Sequence, residues 1–372
     1  MGACSTEQPE SETVIERDAT VDASGSSSSS SSSGTSIFDA AIDVSEDAAV
    51  AVEEVHFVGR FDTRESEPRF QWSGSALLTK FRGTGIAVRL RGEAQLEVVL
   101  DGEVQPRLYV NGSDERYALA SGLSAGEHTL ELHKRDEAMF GPVRFGGFEV
   151  EAGELVATPS PRAHRIEFIG DSITCGYGNE DTTPNCRFSA NTENHYLTYA
   201  ALTARALDAV HTAIAWSGRG MFRNYPDASR SQPTMPQLYD RILPNDESSL
   251  WDFSRYTPEA VVINLGTNDY AINDDPGQSY TDTYVTFLQR LRGIYPEAHL
   301  FAIMQRYPAG AQQRVQDAVN ARNAAGDAKV HYFGFGPVNA GDGVGCDGHP
   351  SVAGHQRMAS ELTPFLRSTL GW

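Results

Sequence analysis

Five short apolar runs, at Ile166–Ile169, Val210–Ala215, Ala260–Leu265, Leu300–Met304 and Val330–Phe333, recur through the last two hundred residues of the chain. Runs this uniformly apolar read as strands buried on both faces. Helical patterns lie between and after them. Leu197, Ala200, Ala201, Ala204 and Leu207 share one face at helical spacing, as do Tyr280, Tyr284, Phe287, Leu288 and Leu291, and again Val352, His355, Met358, Leu362 and Phe365. Buried strands that alternate with helices form a parallel sheet with helices on both faces, so the expected fold of 163–372 is a three-layer α/β/α domain. In such sheets ligands meet the carboxyl ends of the strands.

Upstream the punctuation changes. Between about 53 and 152, β-rich runs recur every ten residues or so: Val55–Val58, Ala76–Leu78, Gly85–Leu90, Leu96–Leu100, Arg107–Val110, His128–Leu132 and Phe145–Val150. Asp101-Gly102, Asn111-Gly112 and Ala125-Gly126 mark turns between them. The expectation for 51–157 is an all-β sandwich of jelly-roll type, joined to the second domain by the proline-bearing stretch Thr158–Arg162. Residues 1–50 differ from both. They contain eight consecutive serines at 26–33 and ten acidic residues against Arg17 alone. A segment without apolar periodicity cannot offset its ordering entropy, so it reads as a disordered acidic tether.

That tether carries nearly half of the formal net charge of −20. An acidic chain repels phosphate backbones, which argues against a nucleic-acid partner. No run approaches the ~20 apolar residues that span a bilayer. Membrane attachment is expected only through Cys4. The sequence Gly2-Ala3-Cys4 before a polar, serine-rich stretch resembles the end of a bacterial lipoprotein signal, and Met1 to Thr6 also fits an N-myristoylation pattern. The lipoprotein reading places the protein outside the cell or at its surface. The four cysteines form no CxxC pair, so no structural zinc site is expected.

Four polar blocks follow the apolar runs or precede the last helix: Gly170-Asp171-Ser172, Trp216-Ser217-Gly218-Arg219-Gly220, Gly266-Thr267-Asn268-Asp269 and Cys346-Asp347-Gly348-His349-Pro350. Singly, each suits an ordinary turn or helix cap. Together, in order along one sheet edge, they supply what ester hydrolysis requires. Ser172 is a nucleophile that needs a base, and His349 provides one. The oxyanion needs preorganised donors, and the Ser172 N–H, the Gly218 N–H and the Asn268 amide are the candidates, with Gly220 in reserve for the second. This chemistry calls for no cofactor and no metal.

These blocks resemble those of the SGNH, or GDSL-type, hydrolases, whose four defining groups match Ser172, Gly218, Asn268 and His349. The resemblance covers about 164–372. More narrowly, Gly170 to Gly178, Phe188-Ser189, Thr192-Glu193-Asn194, Trp216-Ser217-Gly218 and Cys346 to Ser351 look like carbohydrate esterase family two. That resemblance implies an N-terminal jelly roll before a flavodoxin-like SGNH domain. It also implies removal of O-acetyl groups from plant polysaccharides such as xylan or glucomannan; the expected route runs through an acetyl-Ser172 intermediate in a secreted enzyme.

One position departs from the SGNH pattern. The Asp that usually stands three residues before the His is Cys346 here, and Asp347 lies one residue closer. Asp347 is therefore the candidate for orienting His349, with a backbone carbonyl near Gly348 as the alternative. Trp216, Tyr177 and Tyr270 are the candidates for stacking on sugar rings, with Phe222, Tyr225 and Trp251 in neighbouring loops. Export would favour one disulfide among Cys175, Cys186 and Cys346. Cys175–Cys186 would close a short loop beside Ser172, whereas Cys186–Cys346 would tie that loop to His349. The rival functions are an SGNH lipase, thioesterase or peptidoglycan O-acetylesterase, and a carbohydrate-binding protein with a vestigial site.

Overall fold

The computed structural model describes residues 53–372, apart from 113, 114, 161, 184, 273 and 338–341. The tether and Cys4 lie outside the described residues. No helix among those described is long and apolar enough to cross a membrane.

The N-terminal domain consists of two antiparallel sheets. One runs in the order Val55–Val58, Ala76–Gly83, Gly126–Lys134, Glu93–Leu100, Glu103–Val104, with Glu154–Val156 and Leu108–Asn111 paired alongside. The other runs Phe61–Asp62, Arg69–Phe70, Val143–Glu151, Gly85–Arg91, Arg116–Ala120. Every second residue of a strand faces inward, so Leu77, Phe81, Leu96, Val98, Leu130 and Leu132 of the first sheet meet Phe70, Ile86, Val88, Leu90 and Phe145 of the second in one core. All seven expected strands are present. The others are two or three residues long, or, in Arg116–Ala120, five residues of which only Tyr117 is buried. The Asp101-Gly102 turn has both residues at positive φ, 52° and 83°, as a two-residue hairpin demands.

The C-terminal domain is a five-stranded parallel sheet in the order Ala209–Ala215, His164–Gly170, Ala260–Asn264, His299–Met304, Val330–Gly334. In chain order that is 2-1-3-4-5, a doubly wound arrangement. The third strand shows why its residues are all apolar up to Asn264. Ala260 and Val262 face one core, with Tyr199, Ala204, Met358 and Leu362, while Val261 and Ile263 face the other, with Tyr284, Leu288 and Leu291. Helices Tyr199–Ala206, Gln278–Ile294 and Val352–Leu370 match the sequence patterns. A further helix, Ala311–Ala324, was not signalled, because its buried stripe is only Ala311, Val315, Ala318 and Val319.

The two domains share a core. Trp72 and Ala138, from the sandwich, are fully buried in the cluster that includes Ile169, Ile214, Ile263 and Tyr284 of the parallel sheet. Arg60 crosses the same boundary. Its guanidinium pairs with Glu167 at 3.3 Å, donates to the carbonyls of Tyr239 and Arg241, and lies over the Tyr239 ring.

Candidate active site

Parallel register places Gly170 beside both Ala215 and Asn264, so three strand ends align at one edge. Ser172, Gly218 and Asn268 follow these ends within a few residues, next to the point where the strand order reverses. At position 170 a Cβ would sit 2.0 Å from Thr174 Oγ1, which only glycine avoids. Asp171 then caps the single-turn helix Ser172–Cys175 by accepting from Ile173 N at 3.1 Å. Ser172 is thereby held at the mouth of the turn, only 5% exposed.

His349 reaches it from the far end of the chain. Its Nε2 lies 2.7 Å from Ser172 Oγ, and its Nδ1 lies 3.1 Å from the Cys346 carbonyl. Burial lowers the imidazole pKa from its ordinary value of 6.5, opposed mainly by the Cys346 carbonyl. The ring stacks on Tyr177 at 4.1 Å. Asp347 does not take the orienting place expected of it. It sits in a left-handed turn, φ 50°, and its carboxylate accepts instead from the Tyr177 hydroxyl at 2.8 Å and from Phe188 N at 3.2 Å. The backbone alternative is what the geometry contains, contributed by Cys346. A disulfide joins Cys186 to Cys346, so the loop carrying Phe188 is tied to the loop carrying His349, and Cys175 is left as a buried thiol.

Around Ser172 the donors are arranged unequally. The N–H groups of Ser172 and Gly218 have no hydrogen-bond partner among the described residues, and Gly218 stands at φ 77° with open space where a Cβ would be. Asn268 Nδ2 donates to the Arg219 carbonyl at 2.9 Å and lies 3.2 Å from Asp171 Oδ2. Gly220, the reserve donor, is not available. Its N–H is bound to Asn224 Oδ1, and its bare Cα is needed for packing, since a Cβ would meet Arg223 O at 2.0 Å. Asp269 has a role that the sequence reading missed. Its buried carboxylate accepts from Met221, Phe222 and Arg223 N–H at 2.7–2.9 Å and so organises the loop beyond Gly218. Burial raises the Asp269 pKa to about 6 against those three bonds, and raises that of Asp171 to about 7.

Ser172, His349, Gly218 and Asn268 line a cleft of about 800 Å³. Tyr177 and Tyr270 also line it, Tyr270 as a core residue only 5% exposed, whereas Trp216 does not. The Trp216 ring packs on the core with the Arg219 guanidinium 4.8 Å from its centroid. Trp251 is likewise a core residue, beneath Arg60 and Arg255. The exposed aromatics of the cleft are Tyr225 (62%) and Tyr307 (72%), joined by Arg187. Tyr307 follows the fourth strand, His299–Met304, at the same sheet edge as the other site loops, and that strand-end position is the signal for it in the sequence. Two groups of metal-capable side chains occur among the described residues. Asp181, Cys186 and Cys346 include the disulfide, which leaves no thiolate ligand there; Glu137, Cys175 and Glu193 are buried together.

A strand-end Ser–His pair with a doubly wound sheet defines a GDSL-type hydrolase domain, and comparison with known proteins agrees. Residues 168–357 match the GDSL-like lipase/acylhydrolase family and residues 57–159 match the carbohydrate esterase 2 N-terminal domain. A family two carbohydrate esterase from Clostridium thermocellum, solved with cellohexaose, is 40% identical, with a TM-score of 0.82 over 86% of this chain and 99% of that one. The cellulase/esterase CelE of Acetivibrio thermocellus is 40% identical over 84% of this chain, which spans 39% of the length of that relative. An acetylxylan esterase/glucomannan deacetylase of Cellvibrio japonicus is 25% identical over 82% of this chain and 85% of its own length. The chain belongs to carbohydrate esterase family two.

Proposed function

We propose that this protein removes O-acetyl groups from polysaccharides of the xylan or glucomannan type, through an acetyl-Ser172 intermediate, outside the cell or at its surface. The observation that carries the reading is the 2.7 Å contact between Ser172 Oγ and His349 Nε2 at the wall of an open cleft, with two free N–H groups beside it. His349, kept neutral by burial, takes the Ser172 proton as Oγ attacks the acetyl carbonyl. The oxyanion is held by the N–H groups of Ser172 and Gly218 and by Asn268, which would exchange its longer contact to Asp171 for the new charge. Collapse breaks the bond to the sugar oxygen, which leaves with the proton from His349. Water, deprotonated by the same ring, then attacks the acetyl-serine and releases acetate.

Names of relatives support the substrate class, since they include acetylxylan and glucomannan esterases and a complex with a six-unit glucan. The exposed Tyr225 and Tyr307 rings are suited to sugar faces. The disulfide supports an oxidising compartment, and attachment at Cys4 is part of the same proposal. The switching of successive long strands between sheets supports reading the N-terminal domain as a jelly roll. The test is acetate release from acetylated xylan, acetylated glucomannan and small acetyl esters, with Ser172→Ala beside the native chain. The variant should lose at least ~10⁴-fold in kcat. Equal release by both would refute the mechanism, and faster turnover of long-chain esters would favour a lipase.

A further inference from the structure

Lys134, Arg135, Asp136 and Glu137 are four consecutive charged residues, all buried, where the strand Gly126–Lys134 ends and the strap to Val143–Glu151 begins. Charged side chains are almost never so buried unless paired. Three of the four are paired: Lys134 Nζ with Asp136 Oδ1 at 2.5 Å, and Arg135 with Glu97 and Glu180. Glu137 makes no ion pair among the described residues. Its Oε2 accepts from the N–H of Ser217 at 2.8 Å, with Cys175 Sγ at 4.0 Å, and its Oε1 has no partner among the described residues. Its own N–H is bound to Glu193 Oε2 at 3.0 Å, so a second buried carboxyl stands beside it. Burial pushes the Glu137 carboxyl up, and that of Glu193 further. An apolar side chain would fill this place at lower cost in desolvation.

What the carboxyl contacts explains its presence. Ser217 immediately precedes Gly218, and Cys175 ends the helix that begins at Ser172. The Gly218 carbonyl accepts from Tyr225 N at 2.8 Å. The Ser217–Gly218 peptide is thus bracketed, by Glu137 before it and by Tyr225 after it. We infer that Glu137, a residue of the N-terminal domain, is a positioning residue for ester hydrolysis: it fixes the Ser217 backbone so that the Gly218 N–H faces the reacting carbonyl. The inference rests on the proposed function, in which Gly218 is an oxyanion donor. It gives the N-terminal domain a part in the chemistry as well as in the fold.

An oxyanion donor acts in the transition state far more than in the bound ground state, so its displacement lowers kcat and leaves KM nearly unchanged. Three variants test this on a small acetyl ester, with turnover expressed per site titrated by a fluorophosphonate that labels Ser172. Glu137→Gln keeps an oxygen acceptor at the same reach and should stay within ~3-fold of native kcat. Glu137→Asp withdraws the carboxylate by one methylene and Glu137→Leu removes it. Both should lose roughly 10- to 100-fold in kcat, with KM changed by less than about 2-fold. If Leu does not fold, the Gln and Asp pair decides, because both are polar and close in size. Native turnover per titrated site in Asp overturns the inference, and so does a Gln variant that falls as far as Asp. Ser172→Ala, measured alongside, separates the two levels. Acetate release that survives it sinks the Ser172 mechanism on which the inference rests, whereas its loss together with indifferent Glu137 variants sinks only the role of Glu137.

Discussion

At the scale of single residues the Ser–His pair is unusual in how the ring is held. His349 Nδ1 meets the Cys346 carbonyl, and the nearby carboxylate of Asp347 is occupied by Tyr177 and Phe188. A triad Asp is worth about 10⁴ in kcat. A carbonyl-held ring has no such dependence, so Asp347→Ala should cost less than about 5-fold in kcat. A loss near that of a triad Asp would restore Asp347 to the mechanism. The same ring sets the acid limb of the pH profile. In the proposed mechanism His349 acts unprotonated, and burial lowers its pKa, so activity should be present above the lowered pKa and lost as pH falls through it. The midpoint in kcat/KM for an uncharged ester should therefore lie below the ordinary 6.5. A midpoint at or above that value would contradict the burial argument.

Among elements, what matters is how loops from distant parts of the sequence are fastened. The disulfide joins residues 160 apart and brings the Cys186 loop against the turn that carries His349. Around it, Cys346 N donates to Gly178 O at 3.0 Å and Asp347 N to Cys186 O at 3.1 Å. Closing so long a loop constrains the unfolded chain strongly, by about 2–4 kcal/mol in typical cases. Replacing both Cys186 and Cys346 with Ser should lower stability by about that amount in urea titration. If the double variant instead unfolds at the native midpoint, the crosslink contributes nothing to stability. The elements themselves were largely legible. Strands with apolar runs and helices with wide apolar stripes were found from periodicity. Arg116–Ala120 and Ala311–Ala324 were not, because a five-residue strand with one buried side chain and a stripe of small residues leave little contrast to read.

Over the whole molecule the two domains, within the described residues 53–372, form one compact unit. Trp72 is buried in the core of the parallel-sheet domain, and Arg60 carries the charge that balances Glu167 inside it. Removing one member of a buried pair leaves the other uncompensated, at a cost of about 3–5 kcal/mol. Arg60→Ala should destabilise by that order, and thermal unfolding of the native protein should show one transition followed equally by probes in both domains. Two separated transitions would mean that the shared core is weaker than its burial suggests. The chain divides into two patterns in sequence, yet it does not divide into two independent cores.

The sequence by itself determined the α/β/α and all-β patterns, the placing of four polar blocks at strand ends, and hence the pairing of Ser172 with His349. Those features depend on local periodicity and on topology, which a linear pattern encodes. The tertiary structure decided which carbonyl orients His349, which cysteines join, that Trp216 packs inward while Tyr307 lines the cleft, and that Glu137 lies under the oxyanion loop. Each of these depends on side-chain direction or on contacts between segments distant in sequence. Neither the residue type nor the spacing of neighbours fixes such a contact, because it is set by how the two domains pack.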